Sequence, residues 1–312
     1  MHITRSLATF AVAMMSVFGG TGCIKSMLLN GQIESTRKAS SAVDTVQDYE
    51  VARSVAYAGL AQFEGMHKLA PKNKDALFML TKGWSGAAAA FIEDDMEIAE
   101  DLKERDTAEY HKQRGIAAYE RAINYGLEYL ALDASGFEAA TKNDSTMRSW
   151  LKENFDDKED AQILLWLGYS WIARVNLAKE DPEMVAKLWI GVAIVERSVE
   201  LDREYAYGTG LTILAAYHAR TAQAELADSE KLFQEVASIT GGNALLPKFN
   251  HATKLLCAKA DKDGYEKELK AIVDAGDVMP LQRLQNAIAK RKAKRYLGKA
   301  RMNEMRENCA FQ

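Results

Sequence analysis

The chain has 312 residues, with 40 Lys and Arg against 44 Asp and Glu, a formal net charge of −4. Near-balanced charge excludes a dedicated nucleic-acid binder, whose domain would be strongly basic, and 48% apolar residues exclude a disordered chain. Only four prolines and three cysteines, with abundant Ala, exclude a disulfide scaffold or zinc module and leave an all-α protein.

The first predicted element is not part of the fold. Arg5 precedes the uncharged run Leu7 to Phe18, which is too short for a stable membrane span. Gly19, Gly20, Thr21 and Gly22 then lead into Cys23, and small residues ending in Cys resemble a bacterial lipobox. That reading makes 1–22 a lipoprotein signal peptide and Cys23 the lipidation site, with Gly20 standing where Leu is usual. Cleavage for ordinary secretion is the plainer alternative. Several acyl chains on Cys23 satisfy the two-signal requirement for stable anchoring. Ile24 is not the Asp that retains enterobacterial lipoproteins in the inner membrane, so the expected location is periplasm-facing on the outer membrane. Residues 23–48 then read as a lipid-anchored tether or first helix, and 49–312 as one helical domain.

From residue 49 onward apolar positions recur every three or four residues. Ala52, Ala56, Leu60 and Phe63 share a face; so do Leu77, Leu80, Trp84 and Phe91, then Leu164, Leu167, Trp171 and Val175, and then Leu188, Val192, Val195 and Val199. No sustained alternation predicts a strand. Pro71 and Asn73 separate two helices, Asp181-Pro182 reads as a cap and first turn, Gly241-Gly242 stops a helix, and Pro280 precedes the last one. Residues 134–160 are more polar and read as a short helix with loops.

The spacing conceals a tetratricopeptide-like repeat. Gly59, Phe63 and Met66 precede Pro71, and Leu77, Leu80 and Trp84 follow it, with small residues expected at the close crossing of two helices. Leu167 and Trp171 repeat Leu80 and Trp84, and Val195 to Ser198 repeat Tyr119 to Ala122, with a different connection between the two helices. The expected architecture is a single-domain helical repeat array, an α-α superhelix. Chance likeness between Ala-rich helices is the competing account.

Chemistry-bearing residues are few. Glu93, Asp94, Asp95, Glu97, Glu100 and Asp101 form an acidic run that can attract a divalent cation but lacks the calcium-loop pattern, so a solvated, capping helix face is the favoured reading. Lys290, Arg291, Lys292, Lys294, Arg295, Lys299 and Arg301 cluster on the last helix, read as a surface helix docked on the preceding repeat, with electrostatic partner binding second. His67, His111, His218 and His251 show no ligand spacing, and no phosphate loop, dinucleotide fingerprint or nucleophile elbow occurs. The reading is therefore no enzyme, no catalytic residues, no metal and no cofactor. Cys257 lies in an apolar helical stretch; a bridge to Cys309 is open to it, but a buried thiol and a free tail thiol are favoured. Trp84, Trp166, Tyr169, Trp171 and Tyr207 are the candidates for a ligand or partner groove. Trp166 and Trp171 stand five apart and cannot share one helix face.

Four stretches together resemble the T component of TRAP transporters, the tripartite ATP-independent periplasmic systems. They are Gly59 to Phe91 (GLAQFEGMHKLAPKNKDALFMLTKGWSGAAAAF, then EDD), Ala161 to Asp202 (with WLGYSWIARVNLAKEDPEMVAKL and VERSVELD), Tyr207 to Ala219 (YGTGLTILAAYHA) and Glu230 to Lys299 (with ITGGNALLPKFNHA and LQNAIAKRKAKRYLGK). Residues 102–160 match less distinctly. The resemblance implies a lipid-anchored periplasmic helical body with cryptic repeats and homotrimer formation. It also implies docking to the solute-binding P component and a ligand-accessible channel or cleft for a small organic molecule. The alternative is an outer-membrane tetratricopeptide lipoprotein that scaffolds envelope assembly. A third reading, metal-assisted chemistry near Asp94, belongs to the enzyme class.

Overall fold

A computed structural model describes residues 25–220 and 225–311; Cys23 and the export segment lie outside the described residues. The described residues are helical with no strand, as composition and periodicity require. Helix α1 runs over 25–39. A short 3₁₀ turn (Ser40–Thr45) leads to α2 (Tyr49–Leu69), α3 (Lys74–Ala87), a π-helical turn (Ala88–Ile92), α4 (Glu93–Asp101) and α5 (Arg105–Asp133). Then come α6 (Phe137–Ala140), α7 (Asp144–Asn154), α8 (Asp160–Leu177), α9 (Pro182–Val185) and α10 (Leu188–Leu201). The chain ends with α11 (Tyr205–Arg220), α12 (Leu226–Ile239), α13 (Leu245–Asn250) with a second π-helical turn (His251–Leu256), α14 (Lys262–Asp274), α15 (Arg283–Tyr296) and α16 (Lys299–Asn308).

The local signals explain most boundaries. Asp48 caps α2 by accepting from the Glu50 and Val51 amides, Asn73 caps α3 at Ala76, and Asp181 caps α9 with Pro182 in its first turn. Gly241 and Gly242 take positive φ at the end of α12, and the Gly242 amide donates 2.7 Å to the Ala237 carbonyl. Residues 134–160 hold two helices rather than one. The run expected to form a single last helix breaks at Leu297-Gly298, so Lys299 and Arg301 belong to α16.

Packing follows the hairpins. Helix α3 packs on α2 and α5, and α8 packs on α5 and α10. Leu60, Phe63, Met66, Leu77, Leu80, Leu164 and Leu167 are buried in one core. The close crossings are not where the repeat spacing put them. Gly59 has open space around it, whereas a Cβ on Gly83 would stand 2.8 Å from Leu60. The tightest crossing joins α8 and α10, where a Cβ on Gly168 would meet the Gly191 carbonyl at 2.9 Å. A second core formed by α13 to α16 contains Tyr265, Leu269 and Phe311. Segment 25–48 is no free tether: Ile33 is fully buried, and Arg37 pairs with Asp75 and donates to Gln162 at 2.8 Å.

Cys257 and Cys309 form a disulfide, with Cα atoms 4.7 Å apart. This corrects the expectation of two free thiols. The tail folds back as α16, which buries Cys309 beside the second π turn, a placement that helical periodicity around Cys257 alone does not encode.

Candidate functional site

The acidic run and the basic cluster, separated by nearly two hundred residues in the chain, face one another. Asp94 is almost completely buried and bonds Arg291 at 2.7 Å, Arg295, and the Tyr49 hydroxyl at 3.1 Å. Glu97 pairs with Arg295 and with Lys292 at 3.3 Å. Asp101 pairs with Arg301 at 2.9 Å, and the Arg301 guanidinium also donates 2.8 Å to the Glu97 carbonyl. Burial opposes the charge on Glu97, yet Lys292, Arg295 and Arg301 outweigh it and hold its pKa below the ordinary value. For Asp94 the same contest is won by Arg295 and Arg291. Burial dominates for Glu100 and Asp101, whose pKa values rise. The run is thus neither a solvated face nor a set of free cation ligands; its core carboxylates are occupied by arginine and lysine. The basic cluster does dock its helix, as expected, but through buried charge as well as through Leu284 and Ile288.

Beside this network lies a second group of charges with a different character. Glu93 begins α4, directly after the π turn Ala88–Ile92. The Tyr119 hydroxyl of α5 donates to its carboxylate. Tyr169 of α8 stands edge-on to Tyr119, ring centroids 6.1 Å apart, and Trp166 stands edge-on to Tyr169 at 6.3 Å. From the opposite side come Lys254, in the π turn His251–Leu256, and Arg220, at the end of α11. Both interact electrostatically with Glu93, and with each other. Glu93, Tyr169 and Lys254 are half-buried, and Arg220 is exposed. Tyr119 belongs to a buried cluster with Ala88, Ile92 and Ala118, and Tyr169 packs against that cluster.

Burial dominates the electrostatics of this group. Burial pushes the Glu93 carboxyl up, against the pull of Lys292 and the Tyr119 hydrogen bond. Burial and then Glu93 push Tyr119 well above its ordinary value. Burial, followed by the nearby Arg220 guanidinium, lowers Lys254 to about 8, and burial lowers Arg220. The fold therefore shifts Glu93 toward protonation relative to a free carboxyl. Two π turns border this one region, and π-bulges recur at functional sites because the extra residue re-aims side chains.

The sequence-level groove candidates separate. Trp166 and Tyr169, three residues apart, share one face of α8, and the Trp166 indole donates 3.3 Å to the Tyr205 hydroxyl. Trp171 faces the core: it is 8% exposed, packs against Gly191 and Phe137, and donates 3.1 Å to the Lys187 carbonyl. Trp84 belongs to a more peripheral cluster, donating 2.8 Å to Glu64, which also accepts Arg121 at 2.7 Å and Tyr125 at 2.6 Å. Tyr207 is half-buried within three successive left-handed residues, Ala206, Tyr207 and Gly208, which precede the regular part of α11. Sequence reasoning does not bring Glu93, Tyr119, Arg220 and Lys254 to this site. Lys254 alone carries a signal, a lysine embedded in the apolar helical stretch Ala252 to Ala258.

The family model for the TRAP transporter T-component matches residues 45–303. The chain belongs to that family. The match spans every helix from α2 to α15, and with them the buried ion-pair network, Arg301 of α16 included. Among curated proteins none matches the chain. Family membership marks an accessory transporter protein and associates the chain with TRAP transporter components. Among the described residues no helix is long and apolar enough to cross a membrane.

Proposed function

We propose that this T component is a lipid-anchored, periplasm-facing accessory subunit of a TRAP-type uptake system, attached through Cys23 to the outer membrane. It docks the solute-binding P component as a homotrimer, and it holds or passes a small organic ligand through its helical body. The observation that carries this reading is the match of residues 45–303 to the TRAP transporter T-component, and the group of Glu93, Tyr119, Tyr169 and Lys254 inside that region supports a ligand site there. A core built only for stability would favour apolar groups there, since buried ionisable groups cost free energy unless they are paired. Clustered titratable groups with displaced pKa values are a candidate binding site. The family assignment supports a role in solute uptake for this site.

Affinity capture with the tagged T component as bait tests the docking. The P component is expected to co-purify from envelope extracts and to re-form a complex from purified proteins at micromolar concentration. Absence of a complex at that concentration would remove the docking role. Cys23→Ala should abolish acyl labelling and release the protein from the membrane fraction; retained labelling would place the anchor elsewhere.

A further inference from the structure

A cleft of about 500 Å³ opens between α15, the segment that leads into α2, and the loop after α14. That size lies within the range of small-ligand sites. Arg283, Asn286, Ala287, Lys290, Arg291 and Lys294 follow helical spacing, so one face of α15 forms the wall. Four of the lining residues are cations and one, Asp277, is a carboxylate. Arg283 takes Asp277, its Nε donating at 2.8 Å. Arg291 bonds Asp94 at 2.7 Å and stands 4.5 Å from the centroid of the Tyr49 ring. Lys290 and Lys294 make no ion pair with any described residue. Lys290 donates only to the Ala275 and Gly276 carbonyls, and the single charge of Asp277, already bonded by Arg283, cannot balance it as well. Four residues apart on one helix, the two lysines repel each other.

The same wall holds an unused donor. Asn286 is 6% exposed, and its side-chain oxygen accepts from the Leu245 amide at 3.1 Å. Its Nδ2 has no hydrogen-bond partner among the described residues. A buried amide donor without an acceptor costs free energy.

We infer that this cleft binds a phosphate group, held between Lys290 and Lys294 with the Asn286 amide as a further donor. A phosphate monoester carries about −1.5 to −2 charges at pH 7 and three acceptor oxygens. It balances two lysines, where a monocarboxylate leaves one uncompensated. The group comes from a soluble phosphate ester or from a phospholipid head group, which present the same oxygens. Leu281, 64% exposed two residues before Arg283, offers apolar contact to acyl chains in the second case. The cleft shares no lining residue with the group around Glu93, so the two readings stand or fall separately.

Titration calorimetry on the purified full chain in neutral detergent tests this with glycerol 3-phosphate, dihexanoyl phosphatidic acid and acetate, each against a protein-free blank. At least one of the two phosphate compounds is expected to bind saturably and about tenfold or more tightly than acetate, the effect of one added charge-assisted contact. Equal affinity for the two assigns a soluble phosphate ester; a tenfold advantage of the lipid assigns a head group. Lys294 is exposed and makes no hydrogen bond with a described residue, so Lys294→Gln should keep the melting curve and weaken binding by about tenfold or more. Lys294→Arg, which keeps the charge, should retain it. Lys299→Gln, an exposed α16 position outside the cleft, should leave affinity unchanged. No binding of either phosphate compound, acetate binding as tightly, unchanged affinity in Lys294→Gln, or an equal loss in Lys299→Gln would each overturn the inference.

Discussion

Single side chains divide between the core and the group around Glu93. Trp171 fills the junction of α8, α10 and the Phe137 segment, so Trp171→Ala should lower unfolding free energy by about 3–5 kcal/mol in chemical denaturation. Trp166 is only half-buried; its truncation should cost clearly less and should be read mainly in ligand affinity. Equal losses for the two would contradict the placement of one in the core and one outside it. Glu93 gives a pH test. Its folded pKa is raised by burial, so the stability it contributes is complete below the ordinary carboxyl value and is lost as pH rises through the raised one. Glu93→Gln keeps an acceptor for Tyr119 and removes the titration. Its melting temperature should gain on the wild type at pH 8 relative to pH 5; a constant difference between the two would show that the fold does not raise the Glu93 pKa.

At the scale of elements, two devices fasten the C-terminal helices. The first is the contact of α4 with α15 and α16 through Asp94, Glu97, Arg291, Arg295 and Arg301. Removing one partner of a buried pair leaves an uncompensated charge, so Asp94→Asn should cost about 3–5 kcal/mol. Asp94 and Glu97 have lowered pKa values, so their stabilisation is present above the ordinary carboxyl range and disappears as pH falls through the lowered values. Hydrogen exchange measured down an acid series should loosen α15 and α16 before α8 and α10; simultaneous loosening would deny the network its role. The second device is the Cys257–Cys309 disulfide, which closes a loop with a sequence separation of 52. Paired Ser substitutions should lower stability by about 2–4 kcal/mol, and a smaller loss would show that α16 docks mainly through Arg301 and Phe311. Some of this is legible in the sequence. Asp181-Pro182, Asn73 and Gly241-Gly242 mark boundaries by local chemistry, and the helical faces predict the core. The meeting of the acidic run with the basic cluster is not legible, because each alone has the composition of a solvated face and nothing local says which distant segment covers it. The π turns are also hidden, since one added residue barely alters an apolar pattern in runs such as Ala87 to Phe91.

For the whole molecule, the all-α class, the single helical body and the resemblance to TRAP T components are legible in the amino-acid sequence alone, since composition, periodicity and four ordered stretches carry them. The site is not, because Glu93, Tyr119, Tyr169, Arg220 and Lys254 come from five separate elements and are united only by the fold. Family membership associates the chain with TRAP transporter components. The complex with the P component is the most direct measure of that role. Calorimetric titration of purified P component into the delipidated chain should give a saturable isotherm with a micromolar or tighter dissociation constant and an integral ratio of the two chains. A flat isotherm at tens of micromolar, with both proteins folded, would contradict it.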